Sequence, residues 1–305
     1  MAQKININKY IAEVKRNLGI KVSDEIIEKD LLLTIILGEF EKLGLGKELI
    51  FKGGTLLSRN YLNYHRFSED LDFVHHKSNK LRKMKRRTRE KEIKKFIDSF
   101  VPKIYTLAEN LELIFSKNRS DTKFCTILHG RTVYIFRMYY SNSRFIKIEI
   151  NFIEKIIHKP VKISIKTITD LFDSKELVFS LGLDIQNFNI KSYSINEILI
   201  EKYRAILTRK DLKERDLFDL FFIPNSLSIK KSEIIQKISA SSLIKRDLNK
   251  LIEKKLTLLE KNNFFESDEN MEYLAIANYD KKKFEKFKEK IKPKLIEICK
   301  TFLSK

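Results

Sequence analysis

The sequence has few of the residues that stabilise extracellular or zinc-binding proteins. Only two of its 305 residues are cysteines, Cys125 and Cys299, and no Cys-x-x-Cys or His–Cys cluster occurs. Neither a disulfide framework nor a zinc site is therefore indicated, and a reducing cytoplasm fits. No stretch approaches the ~20 apolar residues needed to cross a bilayer, and the N-terminus lacks an apolar signal segment. We expect a cytoplasmic protein that does not contact a membrane.

Negative charge is scarce relative to positive charge. The chain has 61 Lys and Arg against 41 Asp and Glu, which gives a formal net charge of +20 at pH 7. An excess of this size is typical of proteins that bind a polyanion such as nucleic acid. A general bias of the proteome toward lysine would produce the same composition, so the charge alone leaves both explanations open.

A pair of glycines stands where a predicted strand meets a predicted helix. Residues 48–51 have the apolar pattern of a strand, residues 55–64 favour a helix, and Gly53 and Gly54 lie between them. Glycine lets backbone N–H groups approach an anion closely, and a helix N-terminus favours negative charge. Gly-Gly alone usually marks only a turn, but at such a junction it predicts a phosphate-binding turn.

Two aspartates follow in a second predicted strand, residues 71–74. Asp70 stands where this strand begins and Asp72 lies inside it, and side chains two residues apart on a strand point to the same face. Two carboxylates directed at one point suit Mg²⁺, which prefers oxygen ligands shared with phosphate. An isolated Asp-x-Asp is usually a solvated strand end or a turn. Behind the glycine pair it predicts a two-metal site for phosphoryl or nucleotidyl transfer.

A third carboxylate lies in a strand predicted over residues 145–152. Lys147 and Glu149 share one face of this strand, and the other face is apolar, with Ile146, Ile148 and Ile150. Glutamate is disfavoured within strands. Glu149 is therefore either part of a solvated sheet surface or a third acidic group beside Asp70 and Asp72.

A buried cation is predicted in a helix that begins near Asn196, with Ser194 as its cap. Lys202 lies on an apolar stripe of that helix, and lysine is almost never buried unpaired. Asp216 and Asp219, three residues apart, share a face of the next helix. Lys202 therefore either forms internal ion pairs with such aspartates or faces a bound anion, and the two roles do not exclude each other.

Residues 77–95 form a strongly basic run, with eleven Lys and Arg against two Glu. The run has too few apolar residues to be held by a core over most of its length. It is either a solvated helix or loop, or an arm that holds the phosphate backbone of RNA.

The order of these motifs resembles that of the AbiEii/AbiGii-type nucleotidyltransferase toxins. The resemblance extends over residues ~28 to 222 and depends on five blocks. They are Glu28-Lys29-Asp30, Phe51-Lys52-Gly53-Gly54-Thr55-Leu56, Arg66-Phe67-Ser68-Glu69-Asp70-Leu71-Asp72, Glu201-Lys202 with the nearby Ala205-Ile206 and Arg209, and Arg215-Asp216-Leu217-Phe218-Asp219-Leu220. The sequence departs from the wider polymerase-β-like pattern in having Gly53-Gly54-Thr55 where Gly-Ser is usual.

The resemblance implies an α+β fold with a nucleotidyltransferase-type mixed sheet flanked by helices. The nucleotidyltransferase core is expected over residues 1–165. A mainly helical C-terminal domain that contributes to the active-site cleft is expected over residues 166–305.

The resemblance also implies a function. It implies a Mg²⁺-dependent toxin of a toxin–antitoxin or phage-defence system that transfers a nucleotide from a nucleoside triphosphate to RNA. The acceptor end of tRNA is favoured as the acceptor, and its modification would block translation. Transfer to a protein or small molecule, and a non-catalytic nucleic-acid-binding module, are the alternatives.

Specific residues acquire roles from this resemblance. The implied catalytic residues are Asp70, Asp72, Glu149 and Lys202. Asp70, Asp72 and Glu149 are also the expected ligands of two Mg²⁺ ions, with Glu149 chosen by its strand context. The implied nucleotide-binding residues are Lys52, Gly53, Gly54, Thr55, Ser68, Lys202, Asp216 and Asp219.

Overall fold

The structure, a computed structural model, describes residues 6–172, 188–224, 226–241, 245–261, 264–265 and 271–304. The described chain divides into two compact units. The first takes in the described residues of Met1–Glu154 and Pro160–Tyr193, and the second those of Lys155–Lys159 and Ser194–Lys305. The predicted domains, 1–165 and 166–305, stay a prediction, because compactness does not show which segment folds independently.

The first unit is built on a mixed sheet of seven strands. In chain order they are β1 Leu49–Lys52, β2 Asp70–His75, β3 Cys125–Leu128, β4 Val133–Tyr139, β5 Phe145–Asn151, β6 Val161–Ser164 and β7 Asn189–Ser192. Their order across the sheet is β3-β4-β5-β2-β1-β7-β6. β2 runs antiparallel to β1 and parallel to β5. Together with the helices that flank the sheet, this confirms the predicted α+β class.

Strand burial explains why these segments form the sheet. β1, between β2 and β7, is buried at every position. In β5 the three isoleucines are fully buried and the alternate residues are half-exposed, which is the predicted two-faced pattern. The strand therefore presents Lys147 and Glu149 on the face opposite to this apolar core.

Helices of the first unit pack on the sheet through aromatic residues. These helices are α1 Ile7–Leu18, α2 Asp24–Lys42, α3 Gly53–Leu56, α4 Ser78–Lys83 and α5 Arg86–Asn110. Phe73 of β2 stacks on Phe40 of α2, with ring centroids 5.3 Å apart. Phe100 of α5 meets Phe40 edge to face at 6.3 Å. The two long helices therefore share one apolar cluster, which fixes β2 from the side of the core.

The helix predicted over residues 55–64 differs from the observed one. Helical backbone begins two residues earlier, in α3, and continues into a π-helical turn over Leu57–Tyr61. Left-handed backbone at Asn63 and Tyr64 follows this turn. The helix N-terminus expected at the glycine pair is therefore present, and a favourable effect of its dipole on a bound anion stays a prediction. The close approach that glycine gives to backbone N–H groups does not depend on that dipole.

The described residues of the second unit are mainly helical. Its helices are α6 Ile195–Thr208, α7 Glu214–Phe222, α8 Lys231–Ser239, α9 Lys245–Glu260 and α10 Lys281–Leu303. Ser194 caps α6, as predicted, and its side chain accepts a hydrogen bond from the Glu197 N–H. None of the described helices in either unit is long and apolar enough to span a membrane.

Candidate active site

The parallel pairing of β2 with β5 brings the predicted carboxylates of the first unit together. Asp72 lies opposite Glu149 in this ladder, and Asp70 lies opposite Lys147. Leu71, between the two aspartates, is buried, whereas both aspartates are half-buried. The aspartates therefore share a face of β2, as their spacing predicted, and Glu149 lies on the adjacent strand beside Asp72.

The negative charge around Asp72 is only partly compensated by neighbouring lysines. Burial raises the pKa of Asp72, the charge of Glu149 raises it further, and the value reaches about 6. Lys52 and Lys147 lower the same pKa without cancelling the rise. A buried carboxylate with a raised pKa beside other carboxylates is a common feature of sites that hold a cation or act as a base. Its oxygen donors are those that Mg²⁺ prefers.

Another trio of metal-type ligands lies outside the predicted site. Donor atoms of Glu48, His75 and His76 all lie within 4.8 Å of one another. Burial lowers the pKa of His75 to about 4, which keeps the ring neutral at pH 7. Its Nδ1 accepts the Lys77 N–H, so the ring proton lies on Nε2, the atom 3.7 Å from Glu48. In this tautomer His75 directs an N–H, and no lone pair, toward Glu48, and His76 Nδ1 lies 2.9 Å from the Glu48 backbone oxygen.

Gly53 lies in direct contact with the Asp72 carboxylate. A Cβ at position 53 would lie 2.9 Å from both Cβ and Cγ of Asp72, and the backbone φ of Gly53 is +83°. A Cβ on Gly54 would lie 2.9 Å from a guanidinium nitrogen of Arg66 and 3.0 Å from Ser68 Oγ. Gly53 is therefore required by its backbone conformation and by the nearby Asp72, whereas Gly54 adjoins Arg66 and the predicted residue Ser68.

Thr55 and Lys52 have their polar groups bound within the protein. The Thr55 hydroxyl donates to the Asp70 carbonyl oxygen at 2.5 Å, which ties α3 to the start of β2. Lys52 Nζ lies 2.5 Å from Glu154 Oε2, and the Tyr193 hydroxyl donates to the other oxygen of Glu154 at 2.9 Å. These contacts hold the site in place; binding of nucleotide by Thr55 and Lys52 stays a prediction.

Two cations at this site were not predicted from the sequence as site residues. Lys147 Nζ lies 2.8 Å from Asp70 Oδ2, and the Arg66 guanidinium lies beside Gly54. The position of Lys147 on the same strand face as Glu149 was visible in the sequence. Its pairing with Asp70 depends on the β2–β5 register, which no local pattern specifies.

The earliest family-like block, Glu28-Lys29-Asp30, holds the fold around the site. Asp30 is buried and pairs with Arg59 of the π-helical turn at 2.7 Å. Lys29 pairs with Glu69, next to Asp70, at 3.1 Å. A buried ion pair of this kind fixes one arrangement of α2 against the segment that follows the glycines.

The predicted residues of the second unit form an ion-pair network. Lys202 Nζ lies 2.8 Å from Asp216 Oδ1 and 2.5 Å from Asp219 Oδ2. Arg209 also pairs with Asp216. The internal ion pairing left open by the sequence is therefore present, and a contact of Lys202 with a bound anion stays a prediction.

A family profile described as nucleotidyl transferase AbiEii toxin, type IV toxin–antitoxin system, matches residues 35–301. The chain belongs to the AbiEii nucleotidyltransferase toxin family. It is therefore a nucleotidyltransferase of a toxin–antitoxin family, as the motif order predicted. Membership in the AbiEii family brings a nucleotide substrate and an antitoxin partner as expectations.

Two solved structures show weaker likeness to this AbiEii-family chain. MenT4, a nucleotidyltransferase toxin from Mycobacterium tuberculosis, is 12% identical with a TM-score of 0.45, over 96% of this chain and 98% of that one. JHP933 from Helicobacter pylori is 16% identical with a TM-score of 0.43, over 93% and 94%. Among curated proteins, no sequence matches significantly.

Proposed function

We propose that this AbiEii-family protein transfers a nucleotide from a nucleoside triphosphate to RNA in a Mg²⁺-dependent reaction. The acceptor end of tRNA is the proposed acceptor, and its modification would block translation. The observation that carries the proposal is the arrangement of Asp70, Asp72 and Glu149 on adjacent parallel strands, with Gly53 against the Asp72 carboxylate.

The three carboxylates would hold the Mg²⁺. Their oxygen donors match its preference, and Asp72 lies opposite Glu149 in the β2–β5 ladder. When bound, Mg²⁺ supplies positive charge to the triphosphate and to the attacking and leaving oxygens.

The glycine turn would bind the phosphates. Without a side chain at Gly53 and Gly54, backbone N–H groups can approach phosphate oxygens closely. Arg66 and Ser68, both beside Gly54, add a cation and a hydroxyl to this surface. Thr55 acts indirectly, because its hydroxyl holds the backbone of Asp70.

The transfer step is an in-line displacement at the α-phosphorus. An acceptor hydroxyl oxygen bonds to that phosphorus, the bond to the oxygen bridging to the β-phosphate breaks, and pyrophosphate leaves. Glu149 orients the acceptor hydroxyl and takes its proton on a carboxylate oxygen. Nucleotide binding by Lys202, Asp216 and Asp219 stays a prediction of the family resemblance.

The net charge of +20 and the basic run at residues 77–95 support RNA as the acceptor. The run is largely helical, in α4 and the start of α5, and most of its Lys and Arg side chains are exposed. Leu81 and Ile93 are buried and anchor the run to the first unit. The basic side chains therefore project from helices that are anchored in the first unit.

Labelling of total RNA tests the proposal. Wild type is incubated with each of the four ribonucleoside triphosphates, labelled at the α-phosphate, with Mg²⁺ and with EDTA. We expect Mg²⁺-dependent label at the 3′ end of tRNA and none with Asp70→Asn. Asp98→Asn, which changes an exposed carboxylate of α5, is the matched control and should label normally. Label on protein or on a small molecule, or label that persists in EDTA, would contradict the proposal.

A further inference from the structure

A lysine contacts one of the proposed metal ligands. Lys147 Nζ lies 2.8 Å from Asp70 Oδ2, and the two residues are direct partners in the β2–β5 ladder. Their side chains are 27% and 31% exposed. The pair is therefore held by the sheet backbone and is more than an occasional surface contact.

The charge of Lys147 is permanent at physiological pH. A lysine side chain is protonated at pH 7, and this one contacts Asp70 from the strand that carries Glu149. Asp70 thus has a cation in contact, whereas Asp72 lies opposite Glu149 in the same ladder.

We infer that Lys147 is a resident counter-ion that makes divalent-cation binding dependent on the nucleotide. In the nucleotide-free protein its ammonium group holds Asp70 and repels a second cation at the same carboxylate, so the metal alone binds weakly. A triphosphate brings several negative charges, which offset this repulsion and offer the ammonium group new acceptors. Lys147 is thus a positioning residue that couples the two ligands. The inference rests on the proposed function of Asp70, Asp72 and Glu149.

A purely anchoring role of Lys147 predicts the opposite change in cation affinity when the lysine is removed. If Lys147 only kept Asp70 in place, its removal would loosen the carboxylate and weaken cation binding. If it is a competing charge, its removal strengthens binding of the cation alone. The direction of the change therefore separates the two roles.

Titration calorimetry with Mn²⁺, without nucleotide, is the experiment. We expect Lys147→Met to bind Mn²⁺ about tenfold more tightly than wild type, which corresponds to about 1.4 kcal/mol. Lys147→Gln keeps a hydrogen-bond donor but no charge and should behave as Lys147→Met does, whereas Lys147→Arg should resemble wild type. Lys191→Met, at an exposed lysine of β7, is the control for loss of a strand lysine.

A second titration measures the coupling. In the presence of α,β-methylene analogues of the four ribonucleoside triphosphates, wild type should bind Mn²⁺ more tightly than in their absence. In Lys147→Met the nucleotide should tighten Mn²⁺ binding less than it does in wild type. The difference should be about the factor by which Lys147→Met binds Mn²⁺ more tightly than wild type without nucleotide. Circular dichroism confirms that each variant is folded, and Lys147→Gln provides a second neutral variant should Lys147→Met unfold.

The outcomes distinguish this inference from the proposed function. Unchanged or weaker Mn²⁺ binding by both neutral variants would overturn the counter-ion role. Wild-type protein that binds Mn²⁺ and nucleotide but labels no RNA would contradict the proposed acceptor and leave the Lys147 measurement valid. Undiminished Mn²⁺ binding by Asp72→Asn would contradict the carboxylate site itself.

Discussion

The Asp72 carboxylate lies directly against Gly53. A Cβ at position 53 would come within 2.9 Å of Asp72 Cβ and Cγ, and the backbone there is left-handed, with φ of +83°. The contact joins the turn after β1 to a carboxylate of β2, and the register pairs Lys52 with Asp72 across the same two strands. The position of this carboxylate therefore depends on the absence of a side chain at residue 53.

Gly53→Ala should abolish most transfer activity. The methyl group would displace the Asp72 side chain, and a shift of about 1 Å in a reacting group can cost about 100-fold in rate. The left-handed backbone adds about 1–2 kcal/mol of strain. Gly130→Ala is the matched control, because Gly130 has φ of +61° and a Cβ there would have no neighbouring atom within 4 Å. Comparable losses in both variants, measured by labelling and thermal melting, would assign the effect to strain alone.

Asp72→Asn should remove activity and stabilise the metal-free protein at neutral pH. The pKa of Asp72 rises from 3.8 to about 6 in the folded state, so the folded protein binds more protons than the unfolded chain between these values. Wild-type stability should therefore fall as pH rises from about 4 to 6, by at most about 3 kcal/mol. Asp72→Asn should lack this fall when urea unfolding is measured in EDTA at pH 5 and pH 8.

Asp98→Asn is the control for the pH dependence. Its carboxylate is exposed, and a hydrogen bond from Lys94 lowers its pKa, so any effect on stability should be small and of opposite sign. Equal pH dependence in wild type and Asp72→Asn would show that the Asp72 charge does not destabilise the folded protein.

Local patterns predicted the parts of the site that depend on one segment. The i, i+2 spacing of Asp70 and Asp72, the alternation along β5 and the Ser194 cap follow from strand and helix geometry, and all three are present. The α+β class was implied by the family resemblance.

Contacts between distant segments could not be read in this way. The Lys147–Asp70 pair needs the β2–β5 register, and the Lys52–Glu154 pair joins residues 102 positions apart. The helix after the glycines was predicted to begin too late and to be too regular, because its π-helical turn is set by tertiary contacts, among them the buried Arg59–Asp30 ion pair. These features depend on contacts between segments that are far apart in the sequence, and no local sequence pattern specifies such contacts.

Lys202→Ala should both destabilise the protein and weaken nucleotide binding. Asp216 and Asp219 are 2% and 0% exposed, and both contact Lys202, so loss of the shared cation should cost about 3–5 kcal/mol. If Lys202 also contacts the triphosphate, nucleotide affinity of the folded variant should fall by about 1–2 kcal/mol. Urea unfolding and nucleotide titration give the two values.

Lys288→Ala separates the two effects of the Lys202 variant. Lys288 is also a buried lysine of the second unit, paired with Glu214 and Glu285 at 2.7 and 2.8 Å. Its loss should destabilise the protein and leave nucleotide affinity unchanged. Normal nucleotide affinity in folded Lys202→Ala would show that Lys202 forms structural ion pairs only.

Neutralising the basic run should weaken RNA binding in a salt-dependent way. The variant changes four residues of this run to glutamine: Lys83, Arg86, Arg87 and Arg89. Phosphate contacts release counterions, at about 0.7 of a unit in the salt slope for each contact with a single strand, so the slope should flatten by up to about 3. RNA affinity at several salt concentrations measures this, and nucleotide affinity should stay the same.

The control changes four exposed lysines of α10 instead: Lys282, Lys283, Lys286 and Lys290. If the control flattens the slope and the variant of the basic run does not, RNA binds on the C-terminal helices and the basic run is a solvated surface.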